Sequence, residues 1–426
     1  MLTKAPKGTS DILPVNSCKW QYVENKIREL CSSFGVHEIR TPVFEHTELF
    51  SRGVGDTTDV VEKEMYTFND KGGRSITLRP EGTAGAARSF IENGLFNNPQ
   101  PTKLYYQISC YRYEKPQAGR MREFHQFGVE YFGSENPATD AEIIELALML
   151  FEKLGLKGLK LRLNSIGCPE CRKKYNEKLK EYLSQNYDNL CDTCKSRFER
   201  NPMRIIDCKS DVCKSIIKDA PRLIDYLCDD CSDHFSSVKK SLENVGITYE
   251  IDPDIVRGLD YYTRTVFEIT ADIASANTTI CGGGRYDGLV EELGGPSTPA
   301  CGFAIGMERL FLALESQNVQ IEYNAATDIY IGNIGDNNAL IAQKLVYELR
   351  LKDISAECDK MSRSVKAQMK YANKLGCAYS IIIGDDEAQK GKAMIKNMFL
   401  GESSEIELDS EKIAENIRNF KIQGES

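Results

Sequence analysis

Residues 104–133 contain the side chains that chemistry on a charged substrate requires. Their alternating pattern predicts two strands, joined by a basic loop over 115–122 that contains a proline and a glycine. Successive side chains of a strand point to opposite faces. The residues that this alternation places on one face are Cys110, Arg112 and Glu114 in the first strand and Phe124, Gln126 and Glu130 in the second.

Such a hairpin face is a candidate binding site. It combines an arginine, two carboxylates, an amide and an aromatic ring, and burying this set without a ligand would cost free energy. A solvated surface would explain the same composition. The hairpin alone does not decide between the two interpretations, so the decision depends on residues elsewhere in the chain.

Glu81 lies in a predicted turn between a strand and a helix. The strand ends at Pro80, and an alanine-rich helix is expected to run from Thr83 to Gly94. Side chains in such turns commonly point into a site. The structural alternative is that the Glu81 carboxylate accepts hydrogen bonds from the free N–H groups at the start of the helix.

Two arginines further along the chain are candidates for binding an anion. Arg257 precedes Tyr261 and Tyr262, which open an alternating strand, and this placement indicates a pocket wall. Arg309 lies in the first turns of a helix, where its charge and the helix N-terminus would together favour a polyphosphate. The structural alternative for both is a surface arginine. The glycines 282–284 would let a ligand approach the backbone, although they do not form a GxxxxGK[ST] phosphate loop.

Eight of the fifteen cysteines are concentrated in one segment of the chain. They are Cys168, Cys171, Cys191, Cys194, Cys208, Cys213, Cys228 and Cys231. Three CxxC pairs and a fourth near-pair suit one or two structural zinc ions, because two such pairs complete a tetrahedron of thiolates. His234 is a substitute ligand for one sulfur. Disulfides are the alternative, and they would require an oxidising compartment.

The composition is that of an ordinary globular protein of 426 residues, of which 41% are hydrophobic and 27% are charged. This length predicts about two to four domains. We expect no membrane span, because no run of about 18 apolar residues is present. The N-terminus lacks the apolar core of a signal peptide, so we expect a cytoplasmic protein. The net charge of −9 argues against non-specific coating of nucleic acid, but a local basic surface is compatible with it.

Periodicity predicts the elements that position these residues. A helix capped by Asn16 or Ser17 is expected near the N-terminus, and an apolar helix is expected over 139–154. Pro42 lacks a donor for a central strand, so it is expected at a sheet edge or a subunit boundary. After a polar linker over 316–326, strands alternate with helices in an α/β pattern.

One predicted helix near the C-terminus has a basic stripe. Arg363, Lys366, Lys370 and Lys374 recur at three- and four-residue steps. This stripe suits the phosphates of a nucleic acid. A solvated charged face is the structural alternative.

Four of these stretches, taken together with their order along the chain, resemble the histidyl-tRNA synthetase family of class II aminoacyl-tRNA synthetases, in its bacterial type. The hairpin YRYEKPQAGRMREFHQFGVE and the GMERL segment are similar to class II motifs 2 and 3. VRGLDYYTRTVFE and CGGGRYDGLV are similar to the two histidyl signature peptides. The first helix and the strand through Pro42 resemble motif 1, the dimer interface of the family. The cysteine pairs are not general in the family.

The resemblance implies an α+β fold with two domains. Residues 1–325 would form a class II synthetase-like catalytic domain with an antiparallel sheet. A mainly helical, cysteine-rich segment over about 168–235 would be inserted in it. Residues 326–426 would form an α/β anticodon-binding domain. A homodimer is also implied.

The resemblance further implies a two-step ligase reaction. The carboxylate of histidine would attack the α-phosphate of ATP and release pyrophosphate, and the histidyl group would pass to the 3′ end of histidine tRNA. Arg112 and Arg257 would flank the α-phosphate as the catalytic cations, because fixed positive charge stabilises such a displacement. Arg309 would hold the γ-phosphate, Phe124 would stack on adenine, and Glu114 would bind the adenine edge. Mg²⁺ would enter with ATP.

The resemblance assigns a larger set of residues to histidine. They are Glu81, Thr83, Arg112, Gln126, Glu130, Arg257, Tyr261 and Tyr262. Glu81, Thr83 and Gln126 suit the ammonium group, whereas Glu130 and Tyr262 suit the two imidazole nitrogens. A pocket of this kind leaves its own polar groups unpaired with any other amino acid. It can therefore select by roughly 10⁴–10⁵-fold without editing.

Contacts with tRNA are implied in both domains. Arg120 and Arg122, in the hairpin loop, would face the acceptor end. The C-terminal domain, with Arg363, Lys366 and Lys370, would read the anticodon.

Two other functions fit part of the sequence. A regulatory relative of these synthetases, acting on the first enzyme of histidine biosynthesis, would resemble the catalytic domain but would lack the C-terminal one. A zinc-dependent nucleic-acid-binding protein would explain the cysteines and the basic helix, but it would leave the polar hairpin unexplained.

Overall fold

The structure, a computed structural model, forms two compact units, Met1–Ile321 and Glu322–Ser426. The residues that it describes are 3–55, 58, 60–208, 210–273, 276–321 and 327–424. The predicted boundary between residues 325 and 326 lies outside the described residues. Among the described residues, no helix is long and apolar enough to cross a bilayer.

The first unit mixes helices with short and long strands. Its strands are β1 (His37–Glu38), β2 (Phe44–His46), β3 (Tyr66–Asn69), β4 (Ser75–Leu78), β5 (Thr102–Tyr111), β6 (Glu123–Phe132), β7 (Lys160–Ser165), β8 (Glu250–Ile251), β9 (Thr263–Ile273), β10 (Ala276–Arg285) and β11 (Ala300–Gly306). Its α-helices are α1 (Pro14–Ser33), α2 (Thr47–Val54), α3 (Thr83–Glu92), α4 (Pro137–Lys153), α5 (Pro169–Ser184), α6 (Asp192–Arg200), α7 (Asp211–Ile217), α8 (Asp229–Asn244), α9 (Leu289–Glu292) and α10 (Met307–Ser316).

Eight of these strands form one sheet, in the order β1-β5-β6-β11-β10-β9-β7-β8. Neighbouring strands from β5 to β7 are antiparallel, and the short edge strands β1 and β8 pair parallel with them. Pro42 lies between β1 and β2, which is an edge strand of a smaller sheet of order β2-β4-β3. The predicted antiparallel sheet and α+β fold class are confirmed.

Two helix boundaries differ from the sequence predictions. α1 begins at Pro14 and not at Asn16 or Ser17, and its cap has no side-chain hydrogen bond. Proline favours the first helical position because its φ is already helical and its missing N–H would have no partner there. α3 ends at Glu92, before the predicted Gly94.

The hairpin of β5 and β6 shows the face that alternation predicts for its second strand. The register pairs Gln126 with Ile108 and Glu130 with Leu104. Phe124, Gln126 and Glu130 therefore share one face of the sheet.

The prediction that Arg112 and Glu114 lie on the first strand is wrong, because β5 ends at Tyr111. The backbone between Tyr111 and β6 is irregular, so the period of a strand cannot set the direction of these side chains there. One more contact joins the two sides of the hairpin beyond the end of β5, because the Arg112 N–H donates to the Arg122 carbonyl at 2.8 Å.

Glycines leave space on this face of the sheet. A Cβ atom at Gly302 would lie 2.1 Å from Oε2 of Glu130. A Cβ atom at Gly128 would lie 2.3 Å from the ring of Tyr106. Real atoms do not approach so closely, so larger residues at these positions would displace the side chains that the strands present.

The cysteine-rich segment lies between β7 and β8. It contains α5, α6, α7 and the start of α8, two of which are short: α6 has nine residues and α7 has seven. Helices of this length are marginal alone, so contacts between them must hold the segment together.

The second unit is an α/β module around a five-stranded sheet of order β13-β12-β14-β15-β16. Its strands are β12 (Ile329–Asn333), β13 (Ala356–Cys358), β14 (Tyr379–Ile383), β15 (Lys392–Asn397) and β16 (Ser403–Glu407), and its helices are α11 (Asp336–Arg350), α12 (Val365–Lys374), α13 (Asp385–Lys390) and α14 (Ser410–Gly424). The three strands β13, β12 and β14 are parallel, and β15 and β16 are antiparallel. This is the predicted α/β pattern.

The basic stripe is divided between a helix and the loop before it. Lys366 and Lys370 are exposed on α12. Arg363 precedes the helix, pairs with Asp359 at 2.7 Å and lies over the ring of Tyr371 at 4.3 Å. Its charge is therefore already partly used within the module.

A buried ion pair joins helix α4 to the large sheet. The Arg285 side chain is fully buried and pairs with the equally buried Asp140, which also contacts His234 at 3.3 Å. The Arg285 guanidinium donates to the Ser134 carbonyl at 2.8 Å as well. Burial alone would raise the pKa of Asp140, yet His234 and Arg285 hold that pKa below its ordinary value.

Asp140→Asn should lower the free energy of unfolding by up to about 3–5 kcal/mol. It removes the fully buried partner of Arg285 and leaves only the partly exposed Asp287, 3.1 Å away, as a counter-charge. Asp211→Asn is the matched control, since Asp211 is fully exposed and contacts Lys214 at 3.7 Å. It should leave the free energy of unfolding nearly unchanged, because an exposed ion pair is screened by solvent. Urea unfolding of the two variants measures both values, and equal losses would contradict the role of the buried pair.

Candidate active site

One cavity of the first unit has the predicted hairpin face in its wall. It encloses about 1110 Å³, including its open mouth. The predicted residues that line it are Glu81, Thr83, Arg112, Glu114, Arg120, Phe124, Gln126, Glu130, Arg257, Tyr261, Tyr262 and Arg309. The structure thus brings together every residue predicted for ATP and histidine, from four separate stretches of the chain.

Glu130 lies at the buried end of this cavity. Its Oε1 accepts hydrogen bonds from the Thr83 hydroxyl at 2.7 Å and the Tyr106 hydroxyl at 2.9 Å. Its Oε2 accepts a short hydrogen bond from the Tyr286 hydroxyl. Burial raises the pKa of Glu130 to about 8, although the three hydroxyls lower it in part. A buried carboxyl is thus held in place by three neutral donors.

Tyr106 and Tyr286, which hold Glu130, are not predicted from the sequence. A signal for Tyr106 was present, because strand alternation places it on the same face as Ile108 and Cys110. Tyr286 directly follows β10, and only the folded sheet brings it to Glu130.

Glu81 has both of the roles considered for it. Its carboxylate accepts from the Thr83 N–H at 2.7 Å and the Ala84 N–H at 2.9 Å, as a helix-start carboxylate does. The same side chain is buried in the cavity wall. Burial raises its pKa against the effect of these N–H groups.

Arg257 reaches the cavity across the glycine run. Its guanidinium forms a short ion pair with Glu268 and lies 5.7 Å from the centre of the Tyr262 ring. A Cβ atom at Gly282 would lie 2.2 Å from this guanidinium. The Arg257 guanidinium therefore occupies the space over Gly282, which the glycine run predicts for a ligand. Glu268 is not predicted from the sequence either, since nothing in its strand pattern distinguishes it.

Arg112 and Phe124 contact each other at the hairpin end of the cavity. The Arg112 Nε donates to the Pro80 carbonyl at 2.8 Å, and its guanidinium lies 5.2 Å from the centre of the Phe124 ring. The carbonyl of the turn before Glu81 thus orients the arginine that the loop presents.

Arg309 lies in the first turn of α10. Its Nη1 donates to the Thr279 carbonyl at 3.0 Å. Burial lowers its pKa, and the neighbouring cations Arg120 and Arg112 lower it further. Arg112 and Arg120 thus add positive charge beside Arg309, with Glu114 as a nearby counter-charge, an arrangement that suits a phosphate group.

The two arginines of the hairpin loop have different surroundings. Arg120 lines the cavity and lies 3.8 Å from Glu114. Arg122 is not among the cavity residues; its guanidinium lies 3.8 Å from the centre of the Tyr113 ring, and its N–H donates to the Gly8 carbonyl at 2.7 Å. Arg122 is therefore held outside the cavity.

The eight clustered cysteines form two groups of four thiols. The outer cluster is Cys168, Cys171, Cys228 and Cys231, and the inner cluster is Cys191, Cys194, Cys208 and Cys213. Within each cluster the sulfur atoms all lie within 4.8 Å of one another, and pairs lie 3.6 Å and 3.8 Å apart. Four sulfurs about 2.3 Å from one ion would be about 3.8 Å apart, whereas a disulfide needs about 2.05 Å. The spacing fits metal ligands.

The prediction that His234 can replace a sulfur is wrong. Its two ring nitrogens contact Asp140 at 3.3 Å and Arg264 at 3.2 Å. Each cluster already has four sulfurs, so no position remains for an imidazole.

Comparison with known proteins identifies the same peptides over nearly the whole chain. The family described as Histidyl-tRNA synthetase matches residues 8–310, and the family described as Anticodon binding domain matches residues 328–419. The chain is 60% identical over 410 residues to a histidine–tRNA ligase of Acetivibrio thermocellus, covering 96% of this chain and 98% of that protein. It is 57% identical to one of Clostridium perfringens, covering 97% and 99%.

A solved structure has the same architecture. The apo histidyl-tRNA synthetase of S. aureus is 44% identical, with a TM-score of 0.85, and the match covers 98% of this chain and 100% of that one.

The raised pKa of Glu130 predicts a pH-dependent difference from Glu130→Gln. The folded state keeps this proton up to about pH 8, whereas an unfolded glutamate releases it above about pH 4.3. The wild type should therefore lose stability as pH rises through this window, by at most roughly 1.4 kcal/mol per pH unit. The glutamine variant does not titrate, so its stability relative to the wild type should increase with pH.

Denaturant unfolding at about pH 5 and about pH 8 measures this difference. Glu135→Gln is the matched control at an exposed position, and the difference between its free energy of unfolding and that of the wild type should stay the same at both pH values. The same slope in all three proteins would show that Glu130 is ionised throughout.

Proposed function

The chain belongs to the histidyl-tRNA synthetase family, and we propose that the cavity around Glu130 and Arg257 is where it activates histidine. It is an ATP-dependent histidine–tRNA ligase. The observation that carries the assignment of the site is that one cavity is lined by all the residues predicted for ATP and for histidine.

The first step is the attack of the histidine carboxylate on the α-phosphate of ATP. The new bond joins a carboxylate oxygen to phosphorus, and the bond to the β-phosphate breaks, so pyrophosphate leaves. Negative charge spreads over the α-phosphate oxygens during this displacement. Arg257 and Arg112 are the cations proposed to stabilise it, because both are held by carbonyl or carboxylate partners before substrate arrives.

Glu130 is proposed to receive one imidazole N–H of histidine. A carboxylate offers about four acceptor positions, and three of those of Glu130 are used by the hydroxyls of Thr83, Tyr106 and Tyr286. One position remains for an N–H of the substrate, and this donor would favour the ionised form of Glu130 against the burial that raises its pKa. Tyr262 is proposed for the other ring nitrogen, and an amino acid without two ring nitrogens would leave these buried groups unpaired.

The ammonium group and ATP occupy the remaining walls in this proposal. Glu81, Thr83 and Gln126 are assigned to the ammonium group, with Tyr261 beside the ring. Arg309 is assigned to the γ-phosphate, with which its partly buried guanidinium would form an ion pair.

The adenine of ATP is assigned to the Phe124 ring and the Glu114 carboxylate. Ligases of this kind use ATP together with Mg²⁺. The ion is held mainly by phosphates and water, so the chain needs to supply few ligands. Of the cavity carboxylates, Glu114 interacts electrostatically with Arg309. Glu308 instead accepts from the His125 N–H at 3.0 Å and contacts its ring at 2.8 Å.

The second step transfers histidine to its tRNA. A hydroxyl of the terminal adenosine attacks the activated carbonyl, the acyl–phosphate bond breaks, and AMP leaves. Arg120 and Arg122 are proposed to contact the acceptor end, and the exposed Lys366 and Lys370 of α12 are proposed to contact anticodon-arm phosphates. Arg363 is the weaker candidate, because Asp359 already neutralises it.

A homodimer is proposed through the N-terminal region. Val43, Phe44 and Phe68, in and beside the three-stranded sheet, are exposed large apolar residues, and such patches favour association. The second copy would use the same surface. The cytoplasmic location stays a prediction.

We further propose that each cysteine cluster holds one structural zinc ion. Four sulfurs leave no open position, so neither ion would take part in catalysis. The ions would join the N-terminal ends of helices α5 and α8 in the outer cluster, and of the shorter helices α6 and α7 in the inner cluster. A regulatory relative of the synthetases is not favoured, because it would lack the residues that match the Anticodon binding domain. A zinc-dependent nucleic-acid-binding protein is not favoured either, because it would not need the cavity.

Purified protein should exchange pyrophosphate into ATP only when histidine is present. Arg257→Ala should lower the exchange rate by at least about 10²-fold, since it removes a cation from the developing charge. Arg74→Ala, which removes an exposed arginine paired with Asp70, should leave the rate unchanged. Exchange without histidine, or undiminished exchange in Arg257→Ala, would contradict the assignment.

The zinc proposal predicts about two zinc ions per chain after purification without chelators. A double replacement of Cys191 and Cys194 by serine should leave about one ion, because only the outer cluster stays complete. Cys18→Ser, outside both clusters, should leave the content unchanged. Elemental analysis gives the number, and a content near zero in the wild type would reject both sites.

A further inference from the structure

Arg257 lies in a part of the chain that has no regular structure of its own. Residues 252–262, here called the Arg257 segment, form turns and irregular backbone between β8 and β9. The segment also contains Tyr261 and Tyr262. No ladder of sheet or helix hydrogen bonds fixes the position of Arg257, so its precision must come from contacts with neighbouring elements.

Arg204 provides such a contact from the cysteine-rich segment. Its Nη1 donates to the backbone carbonyl of Arg257 at 2.8 Å. A Cβ atom at Gly258 would lie 3.9 Å from the same nitrogen, so the guanidinium lies directly against the turn. Arg204 is buried. A buried charged donor on a carbonyl is a strong and directional hydrogen bond.

The inner cluster holds Arg204 in place. Arg204 lies in the 3₁₀ turn Pro202–Ile205, between Cys194 and Cys208 in the chain. The Cys208 N–H donates to the Ile205 carbonyl at 3.0 Å, so the turn runs directly into a cluster sulfur. Any shift of this turn relative to α6 would have to distort the four-sulfur group.

The Asn201 side chain supports the same arrangement from the residue before the turn. Its Nδ2 donates to Oδ1 of Asp260 at 3.1 Å, within the Arg257 segment. The outer cluster makes a parallel contact, because Arg172, next to Cys171, donates to the Tyr262 carbonyl at 3.2 Å. Both clusters thus place an arginine on the backbone of the segment.

We propose that Arg204 is a positioning residue for histidine activation. From the inner cluster it fixes the backbone of Arg257, so that the Arg257 guanidinium meets the α-phosphate at the correct place. Arg204 does not line the candidate active-site cavity and acts only through Arg257. The proposal rests on the function proposed for Arg257 in the preceding subsection.

Arg204→Met tests this proposal, because methionine keeps much of the length and apolar contact of the side chain but has no donor. The kcat of histidine-dependent pyrophosphate exchange should fall about 10- to 100-fold, as expected for a misplaced catalytic group. The KM for ATP should change little, because Arg309 and the hairpin still bind it. Lys214→Met is the matched control, because Lys214 is exposed on α7 beside the inner-cluster Cys213. The kcat of this variant should stay at the wild-type value.

A double-mutant cycle separates positioning from general stability. In an Arg257→Ala background, measured at raised enzyme concentration, Arg204→Met should cause no further loss beyond about twofold, because coupled residues are not additive. A residue that only stabilised the fold would lower kcat by the same factor in both backgrounds. Zinc content and the thermal midpoint check that each variant is folded.

Arg204→Lys is the conservative variant. It keeps one N–H donor on a shorter side chain, so its kcat should lie between those of Arg204→Met and the wild type. If Arg204→Met does not accumulate as folded protein, the same cycle is measured with Arg204→Lys.

The proposal is overturned if the Arg204 variant has the kcat of Lys214→Met, or if its loss is as large in the Arg257→Ala background as in the wild type. Full exchange by Arg257→Ala itself is a different result. That result would overturn the role of Arg257, and the role of Arg204 with it.

Discussion

The cavity exists because glycines leave room for charged side chains directly above the sheet. Gly302 lies under the Glu130 carboxylate, and Gly282 lies under the Arg257 guanidinium. Both glycines belong to central strands, where a glycine weakens the strand and a side chain would normally fill the space. The sheet therefore has less side-chain packing at its centre, and the space is occupied by ionisable groups that the strands support.

Arg257 and Glu130, the two groups above the sheet, have protein partners before a substrate binds, although Nε of Arg257 has no hydrogen-bond partner among the described residues. Arg257 has a carboxylate partner in Glu268, so its charge is compensated inside the protein. Glu130 has only neutral hydroxyl donors, and its burial therefore favours the protonated form. Arg257 therefore keeps its charge beside Glu268, whereas the Glu130 carboxyl can gain or lose a proton according to the imidazole that it meets.

The sequence was informative wherever the period of an element decides the direction of a side chain. Phe124, Gln126 and Glu130 share a face because β6 is regular, and the CxxC spacing predicted thiols that converge. It failed where the backbone is irregular, as for Arg112 and Glu114, which lie beyond the end of β5. Partners distant in the chain, such as Tyr286 and Glu268, also leave no local pattern, because only the folded sheet brings them to Glu130 and Arg257.

The cysteine clusters explain how an irregular segment can be positioned without a sheet. α6 and α7 are too short to be stable alone. The two cysteine clusters and the buried apolar residues of the insertion, among them Leu179, Leu183 and Ile205, must therefore hold them in place. Cross-links of about 2.3 Å per metal–sulfur bond would fix their ends to within a fraction of an ångström. That precision reaches Arg257 through one hydrogen bond of 2.8 Å from Arg204. An insertion stabilised only by apolar packing would leave this hydrogen bond free to lengthen, because sliding contacts between small helices tolerate shifts that a tetrahedral sulfur group does not.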